Sequence, residues 1–244
     1  MLSYALAERG AEVVVSVATD YGSETQGSAP GISTHVGPMT PEEKQAFLQG
    51  AALCVDATHP YATHVTASIR AACESCGCPC IRLLRQESEL TEGVTLFDSA
   101  REAADFLART DGNVLLTTGA RELDAFSGLD PARLYPRVLP SHASLSACEA
   151  LHIPRRNIIA MQGPFSRELN EALIRQYAIR YVLSKDGGAP GGFPEKAAAA
   201  RETGAQLIVI RRPADEGLPF DGVLNLCTTR LRAANKVSEQ GETT

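Results

Sequence analysis

No apolar run in this 244-residue chain approaches the ~20 residues that a bilayer-spanning helix requires. An excess of positive charge is also missing. The net charge of −6 leaves no electrostatic footprint for nucleic acid or for an anionic membrane surface. The opening M-L-S-Y-A-L-A-E-R-G lacks the basic and long apolar regions of a secretory signal. The seven cysteines are therefore read as thiols of a cytoplasmic protein, outside the compartments where disulfides persist. No long internal repeat is present, and His35, His64, His142 and His152 show neither metal-ligand spacing nor a paired base. Membrane proteins, nucleic-acid binders and disulfide scaffolds are excluded by these absences. What is present, 44% hydrophobic residues and 20 glycines, suffices for one large or two small cores.

Short β-branched runs alternate with helix-period segments, the pattern of βαβ units and parallel sheets. Strands are predicted at Glu12 to Val17, Ala52 to Val55, Pro79 to Leu84, Asn113 to Leu116, Leu134 to Val138, Asn157 to Met161, Arg180 to Ser184 and Gln206 to Ile210. Helices are predicted at Pro41 to Gln49, Tyr61 to Ser75, Ala100 to Arg109, Ser144 to Leu151, Ser166 to Gln176 and Pro194 to Glu202. The polar stretch Gln86 to Gly93 interrupts the alternation. The expected fold class is thus α/β, with two Rossmann-like lobes built on parallel sheets. The N-terminal lobe covers 1–90, the second lobe 91–235, and an aperiodic, flexible tail 236–244.

The segment V-D-A-T-H-P-Y-A, Val55 to Ala62, lies where an apolar strand gives way to a helix, the position at which α/β proteins bind ligands. Pro60 suits a first helical position and forces His59 into an extended backbone. His59 is therefore expected to project above the sheet, with Asp56 and Thr58 offering an acceptor and a hydroxyl. A well-capped helix with a solvated histidine explains the same residues equally well. Three further loops follow predicted strands: T-T-G-A-R-E from Thr117, M-Q-G-P-F-S from Met161, and S-K-D-G-G-A-P-G-G from Ser184. The last carries four glycines within 187–192, whose backbone N–H groups can curl around an anion beside Lys185. It is not a P-loop, because the lysine precedes the glycines. Each loop alone reads as a turn; four in one chain read as a site.

Together these segments resemble the precorrin-6A reductase family, including its cobalt-precorrin-6A members, of cobalamin biosynthesis. The resemblance rests on S-V-A-T-D-Y-G (Ser16 to Gly22), V-D-A-T-H-P-Y-A, T-T-G-A-R-E-L (Thr117 to Leu123), A-M-Q-G-P-F-S (Ala160 to Ser166), S-K-D-G-G, and G-G-F-P-E-K (Gly191 to Lys196). It implies an NADPH-dependent reductase that delivers hydride to a double bond of a polycarboxylated tetrapyrrole in a cleft between two lobes. Ser16, Thr19, Tyr21, Thr58 and His59 would then hold the cofactor, with Thr118 and Gly119 approaching it or the substrate from the other side. Arg121, Gln162, Lys185, Asp186, Gly187 and Gly188 would meet the substrate or the cofactor phosphates. His59, Tyr61 and Lys185 are the protonatable candidates for catalysis. The resemblance also implies handover of the tetrapyrrole from other corrin-pathway enzymes.

Members of that family begin with an apolar strand and a G-G-T-x-E-G loop, and this sequence shows neither. The expectation is that the first strand and glycine loop of the N-terminal lobe are missing, through a misplaced start or a truncation that impairs NADPH binding. Asp20, near the end of the first strand present, favours NAD by the general rule; the resemblance favours NADPH, which is the cofactor expected. Cys73, Cys76, Cys78 and Cys80 could in principle hold a metal. Their helix and strand positions predict thiols that diverge, however, and Cys54, Cys148 and Cys227 read as isolated buried groups, so no metal site is assigned. Asp124, Asp130 and Asp215 read as solvated, and Arg133, Arg137, Arg155 and Arg156 receive no role. A methyltransferase using S-adenosylmethionine, or a non-catalytic tetrapyrrole- or nucleotide-binding paralogue, would place similar loops at strand ends. Cofactor binding separates these alternatives from the reductase.

Overall fold

The computed structural model describes residues 1–88, 93–188 and 191–241, with the side chains of Tyr21 and of 235–241 outside the description. The chain divides into two units: Met1–Arg85 with Asp215–Thr244, and Gln86–Ala214.

In the first unit, α1 (Leu2–Ala7), β1 (Val13–Val17), α2 (Asp20–Gln26), β2 (Ile32–Val36), α3 (Pro41–Leu48), β3 (Cys54–Asp56), α4 (Thr63–Cys76) and β4 (Cys80–Arg82) follow one another. β1 pairs with β2 and β3 with β4, both in parallel. Local chemistry marks the helix ends. Thr40 and Glu43 form a reciprocal capping box at α3, and Gly77 ends α4 in the left-handed conformation.

The second unit runs β5 (Thr95–Phe97), α5 (Ala100–Leu107), β6 (Asn113–Leu116), β7 (Leu134–Val138), α6 (His142–Ala150), β8 (Ile159–Ala160), α7 (Arg167–Gln176), β9 (Ile179–Lys185), α8 (Phe193–Thr203) and β10 (Gln206–Ile210). Its six parallel strands take the order β5-β10-β9-β6-β7-β8. Val114 to Leu116, Tyr181 to Ser184 and Leu207 to Ile210 are buried throughout, as near-continuous apolar runs must be when helices cover both faces of a sheet. Leu115, Val182, Phe193, Ala199 and Val209 form the centre of this core. From β6 the chain steps outward through β7 and β8, then returns to β9 on the other side of β6. The β6/β9 boundary is therefore the topological switch point.

After β10 the chain re-enters the first unit. Leu218 bridges to Leu83 beside β4, and α9 (Phe220–Gly241) places Val223 and Cys227 against Leu6, with Val13, Val55 and Ile81 packed around them. Gly217 permits the close pass, since a Cβ there would stand 2.3 Å from the Arg82 carbonyl oxygen. Residues 215–235, expected in the second lobe, and 236–241, expected in a tail, thus belong to the first unit, with 220–241 in its helix α9. The apolar side of α9 finds its partners some two hundred residues earlier in the sequence, a distance that local periodicity cannot register.

The predicted strands and helices of the second unit all occur, with shifts of a few residues at some ends. α1 falls within Leu2 to Arg9, which the sequence reads as a helix, and four strands or α-helices among the described residues are additional: α2, β2, β5 and α9. One start is corrected. The helix predicted from about Pro60 begins at Thr63, because the Ala62 N–H bonds the His59 carbonyl at 2.8 Å and closes residues 59–62 into a turn. Helical spacing predicts one buried stripe of Val65, Ile69, Ala72, Cys73 and Cys76 along this helix; Ala72 and Cys73 are buried, Thr66 is buried with them, and Val65 is 40% exposed.

Candidate active site

At the switch point of the second unit, the loops after β6 and β9 lie side by side. The Thr117 N–H and hydroxyl both donate to the Leu183 carbonyl, at 2.9 and 2.8 Å. Gly119 follows with φ 87°, a conformation other residues rarely adopt, and turns the chain into the short 3-10 helix Ala120–Phe126. Lys185 Nζ donates to Glu122 Oε1, tying the two loops together. Arg121 on the same helix is exposed, as is Gln162 in the loop after β8.

The glycine-rich loop is organised by Asp186. Its buried carboxylate accepts from the Ser88 N–H (3.1 Å), the Ser88 hydroxyl (2.7 Å) and the Gly188 N–H (2.9 Å), and ion-pairs with Arg212 at 3.1 Å. Burial alone would raise its pKa, but these donors and the guanidinium together hold it below the ordinary aspartate value. Gly187 and Gly188 are buried beside it, and residues 189–190 of the loop lie outside the described residues. Two buried polar atoms at this end of the sheet, Thr118 Oγ1 and Glu122 Oε2, have no hydrogen-bond partner among the described residues. Orphaned polar atoms of this kind at strand ends suit a polar ligand.

Beneath the loops sit two buried cations that the sequence reading left without a role. Arg137, near the carboxyl end of β7, donates from Nη1 to Asn170 Oδ1 at 2.7 Å and lies 4.0 Å above the Phe165 ring centroid. It has no carboxylate at ion-pair distance among the described residues. Lys196, in the first turn of α8, donates to the Gly191 carbonyl at 3.3 Å. Burial, reinforced by Arg137, lowers the Lys196 pKa to about 8 against the opposing pull of Asp186 and Glu195. Glu195 Oε2 is also buried without a partner among the described residues.

The first unit places the remaining expected residues around the ends of β1 and β3. Ser16 is exposed on β1. Thr19 caps α2 by accepting from the Gly22 N–H at 3.2 Å. Tyr21 begins α2, and its side chain lies outside the described residues. Thr58 shares its hydroxyl with Thr66 at 3.1 Å and accepts from Arg82 Nη1 at 2.9 Å. His59 is exposed, its Nδ1 accepts from the Tyr61 N–H at 3.4 Å, and the two rings stand 5.5 Å apart.

Two expectations here are corrected. Asp56 does not open into the mouth: it is 2% exposed and ion-paired with Arg82 at 2.9 Å. Asp215 is not a free surface acid, since it pairs with Arg82 at 2.6 Å and Arg70 at 3.3 Å. Asp56, Arg82 and Asp215 form a supporting network under the loop that carries Thr58 and His59. A third correction concerns the cysteines. Cys54, read as isolated, and Cys73 and Cys80, read as diverging, bring their sulfur atoms within 4.8 Å of one another. Parallel pairing sets Cys54 opposite Cys80, and α4 packs Cys73 back onto the same strands.

The family profile described as Precorrin-6x reductase CbiJ/CobK matches residues 1–230. The chain belongs to this family. The cobalt-precorrin-6A reductase of Priestia megaterium is 32% identical over 219 residues, covering 87% of this chain and 86% of that protein. Its counterpart in Methanothermobacter thermautotrophicus is 36% identical over 208 residues, covering 83% of this chain and 68% of that protein. The solved structure of CobK precorrin-6A reductase has a TM-score of 0.73 and 26% identity, covering 92% of this chain and 90% of that one.

Sequence reasoning singled out Thr118, Gly119, Lys185, Asp186, Gly187 and Gly188, and the structure places them at one end of one sheet. It missed Arg137, Lys196, Arg212 and Ser88. Arg137 is the one with a usable signal, being a charged residue inside the strand L-Y-P-R-V. Among the described residues no helix is long and apolar enough to cross a membrane.

Proposed function

We propose that this chain uses NADPH to reduce a ring double bond of precorrin-6A or cobalt-precorrin-6A, a step of corrin ring (vitamin B12) biosynthesis carried out in the cytoplasm. The observation that carries the reading is the buried Arg137, beside Lys196, with no carboxylate at ion-pair distance among the described residues. An isolated buried cation is costly unless a counter-charge arrives, and a polycarboxylated tetrapyrrole supplies several.

The residues fit the cofactor in one respect that can be read directly: Thr118 Oγ1 is a buried, unpartnered hydroxyl next to the turn at Gly119. When bound, the nicotinamide supplies the hydride. The chain's own part is binding, orientation and proton supply. In the first unit Ser16, Thr19, Tyr21, Thr58 and His59 are assigned to the cofactor, and in the second unit Thr118 and Gly119 are. Arg121, Gln162, Lys185 and the Asp186–Gly188 loop receive the tetrapyrrole, and Arg137 and Lys196 neutralise its carboxylates. Asp186 fixes the loop through Ser88 and Arg212. The proton that completes the reduction, added to the carbon that does not receive hydride, falls to His59, Tyr61 or Lys185. The substrate is taken over from other corrin-pathway enzymes.

Calorimetric titration with NADPH, NADH and S-adenosylmethionine, followed by NADPH oxidation on adding the tetrapyrrole, tests the reading. Selective micromolar NADPH binding, about −8 kcal/mol, with tetrapyrrole-dependent oxidation supports it. Binding of S-adenosylmethionine in place of NADPH, or tetrapyrrole binding with no oxidation, overturns it.

A further inference from the structure

Away from the loops of the proposed reductase site, the first unit gathers three thiols from three elements: Cys54 at the start of β3, Cys80 at the start of β4, and Cys73 in the last turn of α4. Their sulfur atoms lie within 4.8 Å of one another. Three thiolates around one ion, at metal–sulfur distances of about 2.3 Å, stand about 4 Å apart, so a small inward adjustment of side chains completes such a set. The burial is graded, with Cys73 buried at 1% exposure, Cys54 half-buried and Cys80 exposed. An ion thus has a solvent-side approach and a dry far wall.

The neighbouring thiols are otherwise engaged. Cys78 Sγ donates to the Ala51 and Pro79 carbonyls at 3.6 and 3.5 Å, and Cys76 Sγ to the Cys73 carbonyl at 3.6 Å. The backbone that carries the three is set by secondary structure. Cys54 and Cys80 are register partners in the parallel β3–β4 pair, and α4 ends at Gly77 one turn beyond Cys73.

We propose that Cys54, Cys73 and Cys80 form a binding site for a soft or borderline d10 cation, Zn(II) or Cu(I), held by three thiolates with a position open on the Cys80 side. Oxygen ligands are not part of the set, so hard cations are disfavoured. On binding, three S–H bonds give way to three metal–sulfur bonds and three protons pass to the solvent; no electron is transferred. Burial, and after it the other thiols of the group, push the Cys54 thiol up, and burial pushes Cys73 up to about 12. At neutral pH these groups hold their protons until a cation displaces them. The bound ion would clamp β3, β4 and α4 together.

The test uses the full 244-residue chain, reduced and kept under anaerobic conditions, titrated with Co(II) as spectroscopic probe and then with Zn(II). Expected are one equivalent of Co(II) with thiolate-to-cobalt charge-transfer absorption of three-thiolate intensity, displacement by Zn(II), proton release, and a higher unfolding temperature with Zn(II). Cys80→Ser, at an exposed position that leaves the core intact, should weaken binding at least 100-fold. Cys54→Ser should do the same, while Cys148→Ser in the other unit leaves binding unchanged. Absence of the band, its persistence in both Cys80→Ser and Cys54→Ser, or loss of two thiols to a disulfide on mild oxidation with no metal uptake overturns the proposal.

Discussion

Lys185 and Glu122 are ion-paired across the switch point of the six-stranded sheet, joining the last residue of β9 to the short helix after β6. The pair fixes the separation of the two loops that frame the orphaned Thr118 hydroxyl. Removing either partner deletes this ion pair from a half-buried setting. Lys185→Met and Glu122→Gln should each weaken tetrapyrrole binding, and their effects on unfolding free energy should be coupled by about 0.5–1.5 kcal/mol. A double-mutant cycle measured by urea unfolding checks this, and strict additivity would show that the pair does not act as a unit.

With Lys196 meeting a tetrapyrrole carboxylate as proposed, tetrapyrrole affinity should depend on pH. Its pKa is lowered to about 8 in the folded chain from the ordinary 10.5, so the folded state sheds its proton before the unfolded state does. The cost of burying the ammonium is fully present below about pH 8 and is relieved as pH rises from there toward 10.5. A carboxylate placed beside it reverses the shift. Tetrapyrrole binding should therefore take up a proton near pH 8 to 9 and weaken as pH rises through that range. Calorimetry in buffers of different ionisation enthalpy detects the uptake. Lys196→Met should abolish it while stabilising the free chain at pH 7 by about 1–3 kcal/mol.

Thr118→Val separates a ligand role from a structural one. Because Oγ1 has no partner among the described residues, replacing the hydroxyl by a methyl of similar shape removes an unmet desolvation penalty. Stability should hold or rise by up to about 1 kcal/mol, while NADPH affinity falls about tenfold. A loss of stability with unchanged NADPH binding would place the hydroxyl's role in the fold.

Asp56→Ala probes the network beneath Thr58 and His59. The Arg82 side chain is 4% exposed and keeps only Asp215 as its carboxylate partner in the variant. The expected loss is about 3–5 kcal/mol, read from thermal or urea unfolding. Asp56→Asn, which keeps an acceptor for the Thr58 N–H, should lose less.

The parts of this fold that a sequence reveals are those whose environment is uniform along the chain. Val114 to Leu116, Tyr181 to Leu183 and Leu207 to Ile210 in β6, β9 and β10 are buried on both faces, so each reads as a short apolar run and the strand positions are legible. β2 and β5 were not, because I-S-T-H-V is mostly polar and Thr95–Phe97 is three half-buried residues long. α2 hides behind glycine and serine in D-Y-G-S-E-T-Q and depends on the Thr19 cap for its start. For the candidate site, loop composition located the switch point. It could not report Arg137 or Lys196, whose importance lies in what surrounds them after folding. The thiol cluster was illegible for a related reason: spacing along α4 and β4 describes directions within each element, whereas the meeting of Cys54, Cys73 and Cys80 depends on how β3, β4 and α4 pack.

The return of α9 to the first unit sets an order of assembly during synthesis. Residues 86–214 form a contiguous unit whose strands and helices all pair within themselves. It can complete its sheet as soon as β10 has left the ribosome. The first unit emerges earlier but must wait, because Leu6, Val13, Val55 and Ile81 have no Val223 or Cys227 to bury them until the last helix is made. The second unit is therefore expected to complete before the first, against the usual N-terminal-first sequence of domain folding. The apolar faces of β1, β3 and β4 are the surfaces a nascent chain must keep from aggregating in the interval.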